Sequence, residues 1–204
     1  MHLETERCIL KPPSPDDAEA LTQFYLENKA HFAPWDPIPP TGFYTIQHWK
    51  AKTAEHQQEY LSGKSFRLRI FLKQTQELIG LINYTNFERG AFQNCRLGYK
   101  IASRHEGQGL MYETVLASLT YVFQELNIHR VEANYIPENR RSAQLLKRLG
   151  FQELGISKTH LRIIPSLTLQ LRTIADSTPK LITNGKYFPS RQESFLPKDR
   201  KSVV

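Results

Sequence analysis

The chain has 204 residues, 40% hydrophobic and 11% aromatic, which is enough apolar material to bury the core of one globular α/β domain. Cys8 and Cys95 are too few and too far apart for a disulfide framework or a metal cluster. No apolar run approaches a membrane span, and residues 1–10 carry charges where a signal peptide needs an apolar stretch, so a reducing, cytoplasmic setting is expected. The net charge of +7 is uneven: 18 basic against 17 acidic residues up to Leu154, then 9 against 3 from Gly155 onward, so a nucleic-acid reading applies to the tail and not to the body.

In chain order, residues 2–10 read as a first strand. Ser14, Pro15, Asp16 and Asp17 then supply an N-cap, a proline at the first helical position and acids matched to the helix dipole, and a helix is expected to about residue 29 with Ala20, Leu21, Phe24 and Tyr25 apolar. Pro34, Pro37, Pro39 and Pro40 require a loop, because proline lacks the backbone donor of a helix or ladder. A mostly polar helix over 45–61 is expected on the surface. Residues 66–72 and 78–87 read as a hairpin and 94–101 as a further strand. Residues 109–126 place Val115, Leu116, Leu119, Val122, Phe123 and Leu126 at helical spacing, with a short strand at 130–135, and strand, helix, strand implies a crossover unit. A last helix over 140–149 turns Ala143, Leu145, Leu146 and Leu149 inward, and Gly150 stops it.

The chemistry concentrates at Arg104-His105-Glu106-Gly107-Gln108-Gly109-Leu110, between a strand and a long helix. Glycines at 107 and 109 let successive backbone N–H groups turn toward an anion at the positive end of the helix, and a tight turn is the simpler alternative. The spacing matches neither the P-loop nor the dinucleotide fingerprint. His105 and His129 lack metal spacing, and no metal is expected.

Arg104-x-x-Gly107-x-Gly109, preceded by Leu97-Gly98-Tyr99-Lys100-Ile101 and followed by Asn139-x-x-Ser142 and Leu149-Gly150-Phe151, resembles the GNAT superfamily of N-acetyltransferases. Within it, Glu27-Asn28, Pro34-Trp35-Asp36-Pro37, Arg89-Gly90-Ala91-Phe92 and Asn127-Ile128-His129-Arg130 resemble the RimJ group of ribosomal-protein-alanine N-acetyltransferases, over about residues 1–155. The resemblance implies a mixed, splayed central sheet flanked by helices, the acyl-CoA N-acyltransferase fold. It implies acetyl-CoA as acyl donor and coenzyme A as product, with the pantetheine arm along Tyr99, Lys100 and Ile101. The pyrophosphate is then expected on Arg104, Gly107, Gln108, Gly109 and Leu110, with Asn139 reaching the cofactor. Ser142 is the implied proton donor to the leaving thiolate, with a helix cap as its other reading. Glu106 and Glu132 are both near, and neither is assigned as base. An α-amine of pKa near 7.7 to 8.0 is roughly a tenth or more free base at neutral pH, so it needs less help than a lysine. Phe32, Trp35 and the loop from Asn86 to Phe92 are expected as a lip for the substrate.

The implied acceptor is the N-terminal alanine of the fifth protein of the small ribosomal subunit, possibly met on the subunit itself, with no membrane partner. The same cofactor residues also suit an acetyltransferase of a small-molecule amine. A non-catalytic ribosome- or RNA-binding factor using the basic tail is the alternative from another class. After Leu154 the resemblance fades and the shared fold is expected to lose its usual ending. The acetyltransferase domain is set at 1–174, and 175–204, broken by Pro179, Pro189 and Pro197, at a poorly ordered basic tail with possible RNA contact.

Overall fold

The computed structural model describes residues 3–158 and 169–176; the basic tail from 177 onward lies outside the described residues. The expected first strand is instead two, β1 (Leu3–Glu4) and β2 (Cys8–Lys11), folded back on each other with Leu3 opposite Leu10. Thr5 makes the turn: its backbone N–H donates to the Cys8 carbonyl, and its Oγ1 accepts from the Cys8 N–H at 2.9 Å.

Ser14 and Asp17 close a capping box over a 3-10 turn at Pro15–Asp17, and α1 (Ala18–Glu27) follows. The helix stops two residues before the sequence suggests, because Asn28 spends its side chain elsewhere. Its Nδ2 donates to the Phe24 carbonyl at 2.8 Å and its Oδ1 accepts from the Ser103 N–H at 2.9 Å, tying the helix end to the glycine-loop region. A single turn, α2 (Lys29–Phe32), leads into the proline loop. Next comes α3 (Ile46–Leu61), capped by Thr45, whose Oγ1 accepts from the His48 N–H. It is not purely a surface helix: Trp49 is buried and stacks on Tyr25 with ring centroids 4.6 Å apart, a contact worth about 0.5–1.5 kcal/mol beyond its buried area.

The remaining elements are β3 (Phe66–Leu72), β4 (Leu78–Glu88), β5 (Asn94–Ile101), α4 (Leu110–Gln124), β6 (Arg130–Tyr135), α5 (Arg140–Arg148), β7 (Gln152–Lys158) and β8 (Leu169–Asp176). Among the described residues they form one eight-stranded sheet in the order β1-β2-β3-β4-β5-β6-β8-β7, antiparallel except for the β5–β6 pair. One face packs on α4, where Val115, Leu119 and Val122 meet Leu68, Ile70, Ile82 and Val131; the other packs on α1 and α3, through Leu21, Phe24, Tyr25 and Trp49. Side chains of this kind, fully withdrawn from water, contribute roughly 1.5–3 kcal/mol each.

The expectation that the fold loses its ending is corrected. Strand β8 enters between β6 and β7, pairing with β6 from Arg130↔Asp176 to Tyr135↔Leu171. A boundary after Ile174 would cut this strand two residues short of its end. The sheet closes by long-range pairing that local sequence likeness does not track.

Candidate active site

Strands β5 and β6 pair only from Asn94↔Arg130 to Leu97↔Ala133. Beyond Leu97, β5 stays with β4 out to Ile101, while β6 stays with β8 out to Tyr135. The two strands therefore part, and among the described residues the backbone groups of 98–101 that point away from β4 have no strand to bond. A cleft of about 1200 Å³ opens at this split. Asn134 lies on its wall with a buried Oδ1 that has no hydrogen-bond partner among the described residues.

The glycine loop closes one end of the cleft. Gly107 and Gly109 have φ of 72° and 77°, left-handed backbone that L side chains rarely adopt. Gly109 is the N-cap of α4 and offers no side chain to the helix, so the N–H groups of Leu110, Met111 and Tyr112 have no intrahelical acceptor. They sit at the positive end of a 15-residue helix, a ready anion site.

Arg7, in the turn between β1 and β2, braces this loop. Its Nη1 donates to the Gln108 carbonyl at 3.0 Å, and its Nε and backbone N–H donate to the Glu113 carboxylate at 2.9 Å. Burial would raise the Glu113 carboxyl, but the Thr5 and Arg7 hydrogen bonds outweigh it and hold it below the ordinary value. The Arg104 guanidinium turns to Glu27 at 2.8 Å and Glu77 at 2.6 Å, and Gln108 Nε2 donates back to the Arg104 carbonyl; these side chains fasten the loop to α1 and the β3–β4 turn. Glu106, lining the cleft, is held by Arg141 at the start of α5 and by His31 of α2.

Asn139 is the N-cap of α5, its Oδ1 accepting from the Ser142 N–H at 3.0 Å. The cap role is thus filled by Asn139, and the Ser142 hydroxyl is left for another partner, the Tyr99 hydroxyl at 2.7 Å. Burial pushes the Tyr99 phenol far above its ordinary value, so it remains a protonated donor. Both residues line the cleft on the face of the sheet that packs against α4.

The opposite wall comes from α2 and the proline loop. Lys100, the neighbour of Tyr99, points to that face, its Nζ 2.5 Å from Asp36 Oδ2 and 5.0 Å from the ring centroids of Tyr25 and Phe32. Burial would lower the Lys100 pKa, but Tyr25 and Asp36 outweigh it, and the ammonium stays charged. The cleft therefore gathers Tyr99, Lys100, Ile101, Gly107, Gly109, Leu110, Asn139 and Ser142 with Phe32 and Trp35. It does not include Arg104 or Gln108, whose side chains are spent on Glu27, Glu77 and the Arg104 carbonyl, nor Asn86, which lies with Glu59, Arg67 and Arg89 in a separate recess, so the expected lip is not formed with Asn86. Sequence reasoning missed Arg7 and the Asp36–Lys100 pair, whose partners lie about a hundred and 64 residues apart.

The Acetyltransferase (GNAT) domain family matches residues 7–152. The chain belongs to the GNAT acetyltransferases. It is 35% identical to the ribosomal protein uS5-alanine N-acetyltransferase of Escherichia coli (strain K12), over 80% of this chain and 84% of that one. Its structure superposes with a TM-score of 0.83 on the ribosomal-protein-S5-alanine acetyltransferase from Vibrio fischeri, at 28% identity over 87% of this chain and 97% of that one. With Mycobacterium smegmatis RimJ in complex with CoA-disulfide the TM-score is 0.80, at 25% identity over 86% of each chain. This GNAT protein is an acetyl-CoA-dependent N-acetyltransferase. The residues present fit that acyl donor: uncapped amides for a pyrophosphate, an unpaired strand edge for an amide-bearing arm and an orphaned buried Asn134 oxygen. Among the described residues no group of His, Cys, Asp or Glu gathers as a metal site, and no helix is long and apolar enough to cross a membrane.

Proposed function

We propose that this enzyme acetylates the α-amine of the N-terminal alanine of a small-subunit ribosomal protein in the cytoplasm. The 35% identity to the uS5-alanine N-acetyltransferase of E. coli across 80% of the chain carries this reading. Acetyl-CoA supplies an activated acetyl thioester. The N–H groups of Gly107, Gln108, Gly109 and Leu110 hold its pyrophosphate, and the free edge of Tyr99, Lys100 and Ile101 orients its arm as an added strand would. Ser142 holds a proton at Oγ for the departing sulfur. The Tyr99 and Ser142 hydroxyls lie 2.7 Å apart and either can donate; with Tyr99 as the donor, the Ser142 hydrogen is free for the sulfur and Tyr99 stands behind it as a second donor. Phe32 and Trp35 flank the acceptor peptide. The nine basic residues from Gly155 onward support contact with ribosomal RNA.

Mass spectrometry of ribosomal proteins from cells with and without this enzyme tests the assignment. One small-subunit protein with an N-terminal alanine is expected to lose its acetyl group when the enzyme is removed. An unchanged set of ribosomal proteins, together with activity on a polyamine or another small amine in vitro, would replace this acceptor with a small-molecule one.

A further inference from the structure

The cleft is lined by residues from both faces of the sheet, and its two sides, taken as two mouths, differ in chemistry. Cys95, Leu97, Tyr99 and Ile101 alternate onto the α4 face, where Ser142 and the glycine loop lie; Lys100 points to the face built by α1, α2 and the proline loop. Among the described residues that side carries Asp36, whose side chain is about a third exposed. The other cleft carboxylates stand differently: Glu106 is engaged by Arg141 and His31, and Glu138 is an exposed neighbour of the Asn139 cap. Asp36 gives Oδ2 to Lys100, while its Oδ1 takes no hydrogen bond among the described residues. The Tyr25 and Phe32 rings face the same Lys100 ammonium, so that corner is filled by Lys100, and what remains for a second cation is the outer oxygen of Asp36.

We propose that Asp36 anchors the acceptor: its free carboxylate oxygen takes the incoming ammonium at the mouth opposite the glycine loop, and Lys100 holds the carboxylate in position. An acceptor nitrogen bonded there enters the split between β5 and β6 from the face opposite Ser142. Donor and acceptor then approach from different sides of the sheet without competing for space. The assignment concerns binding and orientation, and Asp36 takes up no proton in it. It deepens the acetyltransferase reading, but holds for any cationic amine acceptor.

The test uses the full-length protein with a panel of acceptors: a peptide with a free N-terminal alanine, the same peptide with that amine blocked and an internal lysine, and spermidine. The preference of the unmodified enzyme decides the acceptor class. With its best acceptor, Asp36→Asn is expected to raise the acceptor KM tenfold or more, with the acetyl-CoA dissociation constant changed less than about twofold. Lys100→Met breaks the same ion pair but keeps the carboxylate, and is expected to raise the acceptor KM several-fold less than Asp36→Asn. Asp36→Glu is expected to recover part of the loss. Equal KM increases in Asp36→Asn and Lys100→Met would show that the pair only holds the proline loop, and an unchanged KM in Asp36→Asn would overturn the anchor outright.

Discussion

At the scale of single residues, the chain separates two jobs that one serine might have shared. Asn139 caps α5 through its Oδ1, and Ser142, three residues on, spends its hydroxyl on Tyr99. Ser142→Ala is therefore expected to lower kcat about a hundredfold or more, the lower end of what a positioned proton donor contributes, with the acetyl-CoA dissociation constant changed less than about twofold. Asn139→Ala is expected to show the complementary pattern, a stability loss of about 0.5–2 kcal/mol from the missing cap. Thermal melts beside steady-state kinetics read both, and normal turnover by folded Ser142→Ala would remove it from the reaction. The position of Ser142 in the cleft was legible because its motif is local. The Tyr99 hydroxyl was not, although Tyr99 was singled out for its backbone, because its partner lies 43 residues away and only the packing of α5 beside β5 brings them together.

At the scale of elements, the strands at 66–72, 94–101 and 130–135 match the expectation residue for residue, because alternation and turn chemistry are local signals. Helix ends were less legible. The helix expected to run to residue 29 ends at Glu27, where Asn28 bonds to a segment 75 residues on. The glycine loop was legible as a pattern, but Arg7 as its brace was not. The loop's backbone twist yields a binding prediction. A Cβ added at Gly107 meets nothing within 4 Å, so Gly107→Val acts chiefly by forcing a left-handed residue out of its φ of 72°. It is expected to weaken acetyl-CoA binding tenfold or more, about 1.4 kcal/mol. Gly63 provides the control, with φ of 70° and equally open surroundings but no place in the cleft. Gly63→Val is expected to lose comparable stability and keep its affinity. Calorimetry showing equal affinity for both variants and the parent would count against the amides as the pyrophosphate site.

At the scale of the whole molecule, the class of fold was legible from one crossover unit and its motifs, whereas the ending was not. Residues 152–158 and 169–176 close the sheet by placing the last described strand between its two predecessors, an order that no short-range pattern encodes. The acetyltransferase domain is accordingly proposed to end after Asp176. Ending the chain after residue 168 removes β8, leaving β6 with an open edge and β7 without its neighbour. On the order of ten backbone hydrogen bonds go with it. At roughly 1 kcal/mol net each, that loss is comparable to the whole stability of an ordinary domain, and the exposed edges invite aggregation. Ending the chain after Asp176 removes six basic and two acidic residues while keeping every strand pair described above. This shorter protein is expected to melt within a few degrees of the full chain and to bind acetyl-CoA as tightly, while any association with ribosomal RNA weakens and its salt dependence becomes shallower. Aggregation of the 1–176 protein would move the boundary toward the C-terminus, and a soluble, active 1–168 protein would show that β8 is dispensable to the sheet.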